Sequence, residues 1–297
     1  MPDKNPHKAG FVSIIGKPNV GKSTLMNVLV GERLSIITSK AQTTRHRIMG
    51  IISSDDFQIV YSDTPGIIKP KYELQSSMMH FVNTSLEDAD VILFVTDLYE
   101  QFDEEDVIKR LKDVEVPILL IINKIDLAKN DTVLQEKITY WKQHVNPQEI
   151  IPISALQGLN TPRVFEAILE NMPEHPAYYP KTEMTDRPER FFAAEIIREK
   201  IFMNYKKEVP YSTEVAVIEF KEDESIIRIR AEIFVERHTQ KGIIIGKGGE
   251  MLKKVGTQAR KDMEDFFGKQ VFLEQHVKVE SDWRKRTSQL NRFGYRG

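Results

Sequence analysis

The chain has 297 residues, of which 40% are hydrophobic and 29% charged, which is typical of a water-soluble globular protein with more than one domain. Its formal net charge is −2 and it contains no cysteine, which excludes disulfide bonds and thiolate metal sites and agrees with a cytoplasmic location. No run approaches the roughly 20 apolar residues of a membrane span, and no N-terminal apolar segment resembles a signal peptide.

The first predicted elements are a strand, a glycine-rich loop and a helix. The apolar residues 11–15 lead into the sequence GKPNVGKS at residues 16–23. In such a loop the glycines let backbone N–H groups approach a phosphate, the lysine reaches the β- and γ-phosphates, and the Ser23 hydroxyl binds Mg²⁺. The residues expected at the phosphates are Gly16, Asn19, Val20, Gly21, Lys22, Ser23 and Thr24.

A polar stretch without helical or strand periodicity follows, with the sequence SKAQTTR at residues 39–45. It occupies the place of a switch loop that senses the terminal phosphate. A threonine in such a loop can close over Mg²⁺ and the γ-phosphate with GTP bound, and is released after hydrolysis. Thr44 is the first candidate for this role and Thr43 the second.

The next motif is DTPG at residues 63–66, at the end of an apolar strand over residues 57–61. Asp63 is expected to hold Mg²⁺ through a water molecule, and the Gly66 N–H to contact the γ-phosphate. Ras-type switches carry a water-orienting glutamine immediately after this glycine. Here the residue is Ile67, which cannot hydrogen-bond a water, so we expect intrinsic hydrolysis to be slow and to need help.

Recognition of the base is predicted at NKID, residues 123–126, which follows the apolar strand of residues 118–122. The Asp126 carboxylate matches the N1–H and N2 amine donors of guanine, which adenine lacks. Taken alone, NKID also fits a polar turn between a strand and a helix. The other residues predicted to brace these loops or to contact the base are Asn123, Lys124, Ser154, Ala155 and Leu156.

A segment rich in proline and charge, residues 176–190, is predicted to link a first domain of residues 1–175 to a second of residues 191–297. In the second domain, apolar periodicity predicts a helix over 191–205, then strands over 215–220 and 225–235. A helix over 250–267 and a strand over 271–279 follow. With the segment before the second helix, the order becomes α–β–β–α–α–β, which suggests a KH domain of the bacterial type.

The sequence GKGG lies between three isoleucines and a basic helix, which is typical of the KH loop. Its glycines let the loop approach a nucleic-acid backbone, and such a loop clamps about four nucleotides. By itself GKGG also fits an ordinary glycine-rich turn. The residues predicted to contact RNA here are Ile243, Ile244, Ile245, Gly246, Lys247, Gly248, Gly249, Lys253 and Lys254.

Positive charge is concentrated in the second half: residues 181–297 carry a net charge of +4, and residues 1–180 a net charge of −6. From residue 284 to the end there is no acidic residue. In this basic C-terminal tail we expect Arg284, Lys285 and Arg286 to follow a phosphate backbone, and Phe293 and Tyr295 to stack on bases. A solvated, frayed terminus is the alternative.

The motifs GKPNVGKSTLMN, SKAQTTRHRIMGI, YSDTPG and NKID, continued by the GKGG segment, resemble the bacterial Era GTPases. The resemblance implies an α/β P-loop GTPase domain, with a mostly parallel central sheet flanked by helices, followed by a smaller α+β type II KH domain. It implies hydrolysis of GTP with Mg²⁺, binding of 16S rRNA near its 3′ end, and a role in assembly of the 30S ribosomal subunit. In related potassium-activated GTPases, the residue corresponding to Asn19 also helps to hold K⁺, and the alternative is that Asn19 hydrogen-bonds within its own loop.

Other functions stay open at this point. The protein could be an RNA clamp for assembly in which hydrolysis is incidental, or a GTPase acting mainly at the inner membrane or in the cell cycle. Peripheral contact with the cytoplasmic face of the inner membrane is reported for the family, and DNA is not an expected partner. An enzyme that phosphorylates a small molecule is disfavoured by NKID and by the switch motifs.

Overall fold

The computed structural model describes residues 6–100 and 105–295, which form two compact units. The first unit continues to Asp186 and the second begins at Arg187. Two short segments from earlier in the chain, Ile36–Thr43 and Pro70–Ser77, group with the second unit. Part of the predicted switch loop therefore packs with the later half of the chain. No helix in the described ranges is long and apolar enough to cross a membrane.

The first unit is built on a six-stranded sheet in the order β2-β3-β1-β4-β5-β6, in which only the β2–β3 pair is antiparallel. The continuous apolar runs of its central strands are typical of parallel strands that are covered on both faces. The strands are β1 (Lys8–Ile15), β2 (Ile48–Ser53), β3 (Phe57–Asp63), β4 (Val91–Asp97), β5 (Ile118–Asn123) and β6 (Glu149–Pro152).

In the described ranges, the helices that connect or follow these strands are α1 (Lys22–Val30), α2 (Glu73–Glu87), α3 (Glu105–Asp113), α4 (Asp131–His144) and α5 (Thr161–Asn171). One apolar cluster of the first unit centres on Trp141 of α4, whose ring meets that of Phe94 edge to face, with centroids 5.0 Å apart. Because the carboxyl ends of parallel strands meet at one edge, the loops after β1, β3, β5 and β6 come together. These loops carry the four motifs.

The proline-rich segment that precedes the second unit packs along the first unit as far as Asp186. The Gln58 side-chain oxygen accepts the N–H groups of Tyr178 and Tyr179 at 2.7 and 2.9 Å, and its amide donates to the Tyr179 carbonyl at 2.8 Å. Thr185 forms an antiparallel bridge with Gly50. These partners lie more than a hundred residues away in sequence, so local composition could not predict them.

The second unit has the element order α–β–β–α–α–β, and a short helix follows. The β7–β8 pair of its sheet is antiparallel, the β8–β9 pair is parallel, and β9 lies at the edge. The helix predicted over 250–267 coincides with α8. The elements are α6 (Glu189–Asn204), β7 (Glu214–Glu222), β8 (Ile226–Val235), α7 (His238–Ile245), α8 (Glu250–Phe267), β9 (Gln270–Val279) and α9 (Thr287–Arg292).

The C-terminal segment is packed into the second unit up to residue 295. The Tyr295 side chain is fully buried, and its hydroxyl donates to Glu214 Oε2 at 2.5 Å. Trp283 is also buried, and its indole N–H donates to the Ser212 carbonyl at 2.9 Å. The prediction that Tyr295 stacks on bases is therefore wrong, because its ring is already enclosed. The alternative of a frayed end is also wrong for the described part.

Candidate nucleotide site and nucleic-acid interface

The loop between β1 and α1 has a backbone that only glycine can adopt at two positions. Gly16 has φ +151° and Gly21 has φ +100°. A Cβ atom at Gly16 would lie 2.1 Å from the Val95 carbonyl oxygen, and one at Gly21 would lie 2.1 Å from Asn123 Nδ2. Since both distances are far below van der Waals contact, larger residues would force the loop away from its neighbours.

Lys22 begins α1 and is turned back into this loop. Its ammonium group donates to the carbonyl oxygens of Gly16 at 3.0 Å and Lys17 at 2.8 Å. Burial lowers the pKa of Lys22 to about 8, although the negative charges of Asp63 and Glu100 oppose the shift. The Lys22 ammonium group is thus held by neutral carbonyl oxygens. An anionic phosphate would be a stronger hydrogen-bond partner for it.

Two hydroxyl groups and one carboxylate meet beside Lys22. Ser23 Oγ donates to Asp63 Oδ2 at 2.6 Å and lies 2.9 Å from Thr44 Oγ1. Burial raises the pKa of Asp63, while the hydrogen bond from Ser23 and the charge of Lys22 act in the opposite direction. In the described part of the chain, the buried Asp63 Oδ1 has no hydrogen-bond partner. This oxygen-rich cluster fits a hard divalent cation such as Mg²⁺.

The two threonines of the predicted switch point to different partners. Thr44 reaches Ser23, whereas the Thr43 hydroxyl donates to the Lys40 carbonyl at 2.7 Å and lies 2.6 Å from Thr38 Oγ1. Of the two candidates, Thr44 is therefore the one beside the Asp63 cluster. Thr24 is half-buried on α1.

The DTPG loop lies directly against the phosphate loop. The Ile67 N–H donates to the Gly16 carbonyl at 3.0 Å, and a Cβ atom at Gly66 would lie 2.6 Å from Pro18. The Ile67 side chain is only 4% exposed and packs in the apolar cluster with Ile15 and Phe94. The residue after the glycine therefore presents no polar group to this site.

At the base end, Asn123 ties the phosphate loop to the loop after β6. Its side-chain N–H donates to the Val20 carbonyl at 2.8 Å, and its side-chain oxygen accepts the Ala155 N–H at 2.9 Å. Ser154 and Ala155 are buried, and Leu156 is exposed. Asn123 thus ties the two loops together.

Lys124 and Asp126 flank the same edge of the sheet. Lys124 has φ +62°, and its ammonium group donates to the Asn19 carbonyl at 2.6 Å and to Asp97 Oδ2 at 2.8 Å. Asp126 is exposed in the one-turn 3₁₀ helix Ile125–Leu127, so its carboxylate is accessible to a ligand. Sequence reasoning missed Asp97, which ends β4 outside any of the motifs. Asn19 is exposed at φ +65°, and a role for it in holding K⁺ stays a prediction.

In the second unit, the GKGG loop joins α7 to α8 with three glycines at positive φ: Gly246, Gly248 and Gly249. A Cβ atom at Gly246 would lie 2.8 Å from Met251, whereas Gly248 and Gly249 face open space. Lys247 is exposed between them. The loop thus presents an open backbone surface with one cation.

Beside this loop, an open groove of about 370 Å³ runs between α8 and β9. Its lining includes Leu252, Lys253, Gly256, Arg260, Leu273 and Gln275. The predicted isoleucines lie elsewhere: Ile244 is buried in the core, Ile245 packs against it, and Ile243 is 52% exposed. The apolar lining comes instead from Leu252 and Leu273. The spacing 252, 256, 260 on one face of α8 is a signal that could have indicated this lining.

The basic residues predicted for RNA differ in their partners. Lys253 and Lys254 are exposed on α8. Arg284 forms an ion pair with Glu236 at 2.5 Å, and its guanidinium lies 5.0 Å from the Tyr72 ring centroid. The other two residues pair with acids from the preceding segment: Lys285 with Asp282 at 3.3 Å and Arg286 with Glu280 at 3.1 Å. The first three basic residues of the tail are therefore each paired with an acidic residue that precedes the tail.

Comparisons with known proteins bear on the family and on both domains. Residues 11–124 match a family described as 50S ribosome-binding GTPase, and residues 208–284 match the KH domain. GTPase Era of Staphylococcus epidermidis is 46% identical over 292 residues, which cover 97% of each chain. GTPase Era of Staphylococcus haemolyticus is 44% identical over the same share. This chain belongs to the Era family.

Two solved Era structures extend the comparison to the fold. One is Era in complex with MgGDPNP and nucleotides 1506–1542 of 16S ribosomal RNA, at 42% identity and a TM-score of 0.92. The other is a variant of Aquifex aeolicus Era bound to GDP·AlF₄⁻, at 43% identity and the same TM-score. Each comparison covers 97% of this chain and 99% of the other. The predicted GTPase and KH folds are confirmed, and the protein is a GTPase.

Proposed function

We propose that this protein is a GTP-controlled RNA-binding switch that binds 16S rRNA near its 3′ end and assists 30S subunit assembly. The observation that carries the proposal is the open GKGG groove on a chain that also holds the complete set of guanine-nucleotide motifs. Support comes from the related Era that was solved with a 16S rRNA fragment and MgGDPNP.

In this proposal the phosphates of GTP lie against the loop before α1, where backbone N–H groups and the Lys22 cation hold them. Ser23, Thr44 and Asp63 would hold Mg²⁺, which when bound neutralises charge that develops between the β- and γ-phosphates. Asp63 acts through a water molecule and Ser23 directly. Thr44 already lies 2.9 Å from Ser23, and a γ-phosphate would hold the switch loop closed so that Thr44 can contact the cation.

Guanine would be held by Asp126, whose two carboxylate oxygens accept from the N1–H and the N2 amine. The brace that Asn123 provides fixes the distance between the base and phosphate ends. Hydrolysis would be slow, because the buried Ile67 cannot orient the attacking water. A cation held with the help of Asn19, or a group from an assembly partner, would then set the rate.

Control of RNA binding requires that the GTP and GDP forms differ in free energy of RNA binding. The deciding experiment uses a labelled single-stranded RNA with the small-subunit 3′ sequence, and protein loaded with GDP or with a non-hydrolysable GTP analogue. We expect affinities that differ at least about fivefold between the two states, which is the lower end of typical allosteric coupling. Equal affinities would contradict control by the nucleotide, and absence of binding in both states would contradict the RNA target.

A second candidate is an RNA clamp for assembly in which hydrolysis is incidental. The burial of Ile67 favours this candidate, because a protein that hydrolyses GTP slowly can act by remaining bound to the RNA. A variant that binds GTP without hydrolysing it decides between the two functions. Complete subunit maturation with that variant would favour the clamp, and arrested maturation would favour the switch.

A further inference from the structure

The loop after β4 lies beside the loop that carries NKID. Asp97, the last residue of β4, is paired in register with Asn123, the last residue of β5. Because neighbouring parallel strands end at the same edge of the sheet, residues 97–100 come against the base end of the candidate nucleotide site. These residues belong to none of the four motifs.

The Asp97 carboxylate divides its two oxygens between its own loop and Lys124. Oδ1 accepts the N–H groups of Tyr99 at 3.0 Å and Glu100 at 2.8 Å, an arrangement in which an aspartate closes a turn in its own loop. Oδ2 accepts from the Lys124 ammonium group at 2.8 Å, and this ammonium group also donates to the Asn19 carbonyl at 2.6 Å. The Lys124 side chain therefore reaches from the NKID loop to the phosphate loop, with its charged end fixed by Asp97.

This arrangement of Lys124 needs support from its neighbours. Its φ of +62° lies in the left-handed region, which residues with a β-carbon rarely adopt. Such a backbone persists only where the surrounding structure holds it. The side chains of Lys124 and Asp97 are both half-buried, so water screens their attraction less than on an open surface. The ion pair with Asp97 is therefore one of the interactions that hold Lys124 in place.

Tyr99 holds the far end of the same motif. Its hydroxyl donates to the carbonyl of Leu127 at 2.9 Å. Leu127 is the last residue of the one-turn 3₁₀ helix that contains Asp126. At the start of this helix, the Ile125 N–H donates to the Ile153 carbonyl at 3.1 Å. The turn that carries Asp126 is therefore fixed at both ends, and the Tyr99 hydroxyl supplies one of the two attachments.

We propose that Asp97 and Tyr99 are positioning residues for guanine recognition. Tyr99 fixes the turn that presents the Asp126 carboxylate to the N1–H and the N2 amine of the base. Asp97 fixes the ammonium end of Lys124, so that this side chain joins the base and phosphate ends of the site. The inference rests on the proposed function, because it takes Asp126 as the residue that binds guanine. It makes guanine selectivity depend on a loop outside the four motifs.

Tyr99→Phe tests the role of the hydroxyl. The ring is 52% exposed, so this change removes the hydroxyl without opening a cavity. Competition of GDP and of inosine diphosphate against a fluorescent GDP analogue measures the affinity for each nucleotide. Inosine diphosphate keeps the N1–H but lacks the N2 amine, so a displaced Asp126 carboxylate costs GDP more affinity. We expect the unaltered protein to favour GDP at least about tenfold, and Tyr99→Phe to lower this ratio at least about threefold.

The ratio separates positioning of Asp126 from a general loosening of the site, which would weaken both nucleotides equally. Tyr178→Phe is the matched control. It removes a hydroxyl from a ring that is 42% exposed in the proline-rich segment, and it should leave the ratio unchanged.

Asp97→Asn tests the role of the ion pair. The amide keeps an oxygen that can close the turn in its own loop, but it removes the charge that faces Lys124. We expect this change to weaken GDP binding about threefold, as loss of one partly exposed ion pair does. In Lys124→Ala the same substitution should have no further effect, because Asp97 acts through Lys124.

Each role can be overturned separately. An unchanged ratio of GDP to inosine diphosphate affinity in Tyr99→Phe overturns the role of Tyr99. An equal loss from Asp97→Asn with and without the Lys124 side chain overturns that of Asp97. If the unaltered protein does not distinguish the two nucleotides, the assignment of Asp126 in the proposed function fails together with this inference. If it does distinguish them and neither variant behaves as expected, only this inference is removed and the proposed function stands.

Discussion

Single residues hold the nucleotide loops in place, and Gly21 is one of them. Gly21→Ala should weaken GDP binding at least tenfold, because its Cβ would meet Asn123 Nδ2 at 2.1 Å and displace the brace. Gly31→Ala is the matched control, since Gly31 also has positive φ, +81°, but faces open space. Titration with a fluorescent GDP analogue measures the effect. Equal losses in the two variants would mean that backbone strain alone is responsible.

Asp126 is expected to decide which base is accepted. Asp126→Asn should lower GDP affinity by about a hundredfold or more and raise affinity for xanthosine diphosphate, because the amide replaces one acceptor by a donor. Asp131→Asn removes the same charge from the exposed start of α4 and should leave both affinities unchanged. Competition between the two nucleotides for each variant provides the measurement. Unchanged guanine preference in Asp126→Asn would contradict the assignment.

The lowered pKa of Lys22 predicts that nucleotide binding is coupled to protons. With a pKa of about 8, the free protein loses this proton as the pH rises through 8, while bound phosphates favour the charged form. At pH 8.5, nucleotide binding should take up about three quarters of a proton, and at pH 7 almost none. Calorimetry in buffers of different ionisation enthalpy measures the uptake. No uptake at pH 8.5 would mean that Lys22 stays charged without nucleotide.

The lowered pKa of Lys22 also makes the free energy of unfolding depend on pH. Between the pKa of about 8 in the folded protein and 10.5 in the unfolded chain, the unfolded chain binds more protons. The contribution of Lys22 to the free energy of unfolding therefore rises with pH across this window. Below pH 8, Lys22 is charged in both states, and its burial lowers the free energy of unfolding by an amount that does not change with pH. A bound phosphate would offset this loss.

At the scale of elements, the GKGG loop is expected to contribute to RNA affinity without taking part in GTP hydrolysis. Gly248→Asp should weaken RNA binding at least tenfold through charge repulsion and lost backbone approach, with GTPase activity largely intact. Gly31→Asp is the matched control, because both glycines have positive φ and face open space. Filter binding and phosphate release measure the two activities. Full retention of RNA affinity in Gly248→Asp would contradict the KH assignment.

Elements whose chemistry is local could be predicted from sequence, and those defined by distant partners could not. The phosphate loop and α8 follow from glycine placement and apolar spacing within one short segment. The groove beside the GKGG loop joins Leu252 to Leu273, which lie on different elements, so the spacing on α8 could indicate one wall of the groove and not the other. The helix counted before the GKGG loop is α7, although its β-branched residues favour a strand, because Ile244 packs in the core.

At the scale of the whole molecule, the net charge of −2 means that attraction to RNA must come from local patches. Lys253→Ala, on the groove, should reduce the slope of log affinity against log salt concentration by about 0.7, the value for one contact with single-stranded nucleic acid. Arg286→Ala should leave the slope unchanged, because Arg286 already pairs with Glu280 at 3.1 Å. Measuring RNA affinity of both variants over a range of salt concentrations gives the two slopes. Equal reductions would show that the tail also contacts phosphates.

Two features of the whole molecule could not be predicted from the sequence. The net charge is negative in the first half of the chain and positive in the second. This difference does not show that Glu236 and Glu280 pair with Arg284 and Arg286 of the basic tail. Likewise, the proline-rich segment resembles a free linker until Gln58 is seen to hold Tyr178 and Tyr179. Both facts depend on pairings over long sequence separations, which composition does not encode.

The burial of Ile67 also restricts how this molecule can evolve. A glutamine at this position would place an amide in the apolar cluster, at a cost of about 1–3 kcal/mol if it found no partner, before it could serve as a catalyst. A glutamine at this position would therefore lower the free energy of unfolding before it could speed GTP hydrolysis. The lifetime of the GTP-bound state is left to groups outside this position, so it can be tuned without repacking the core.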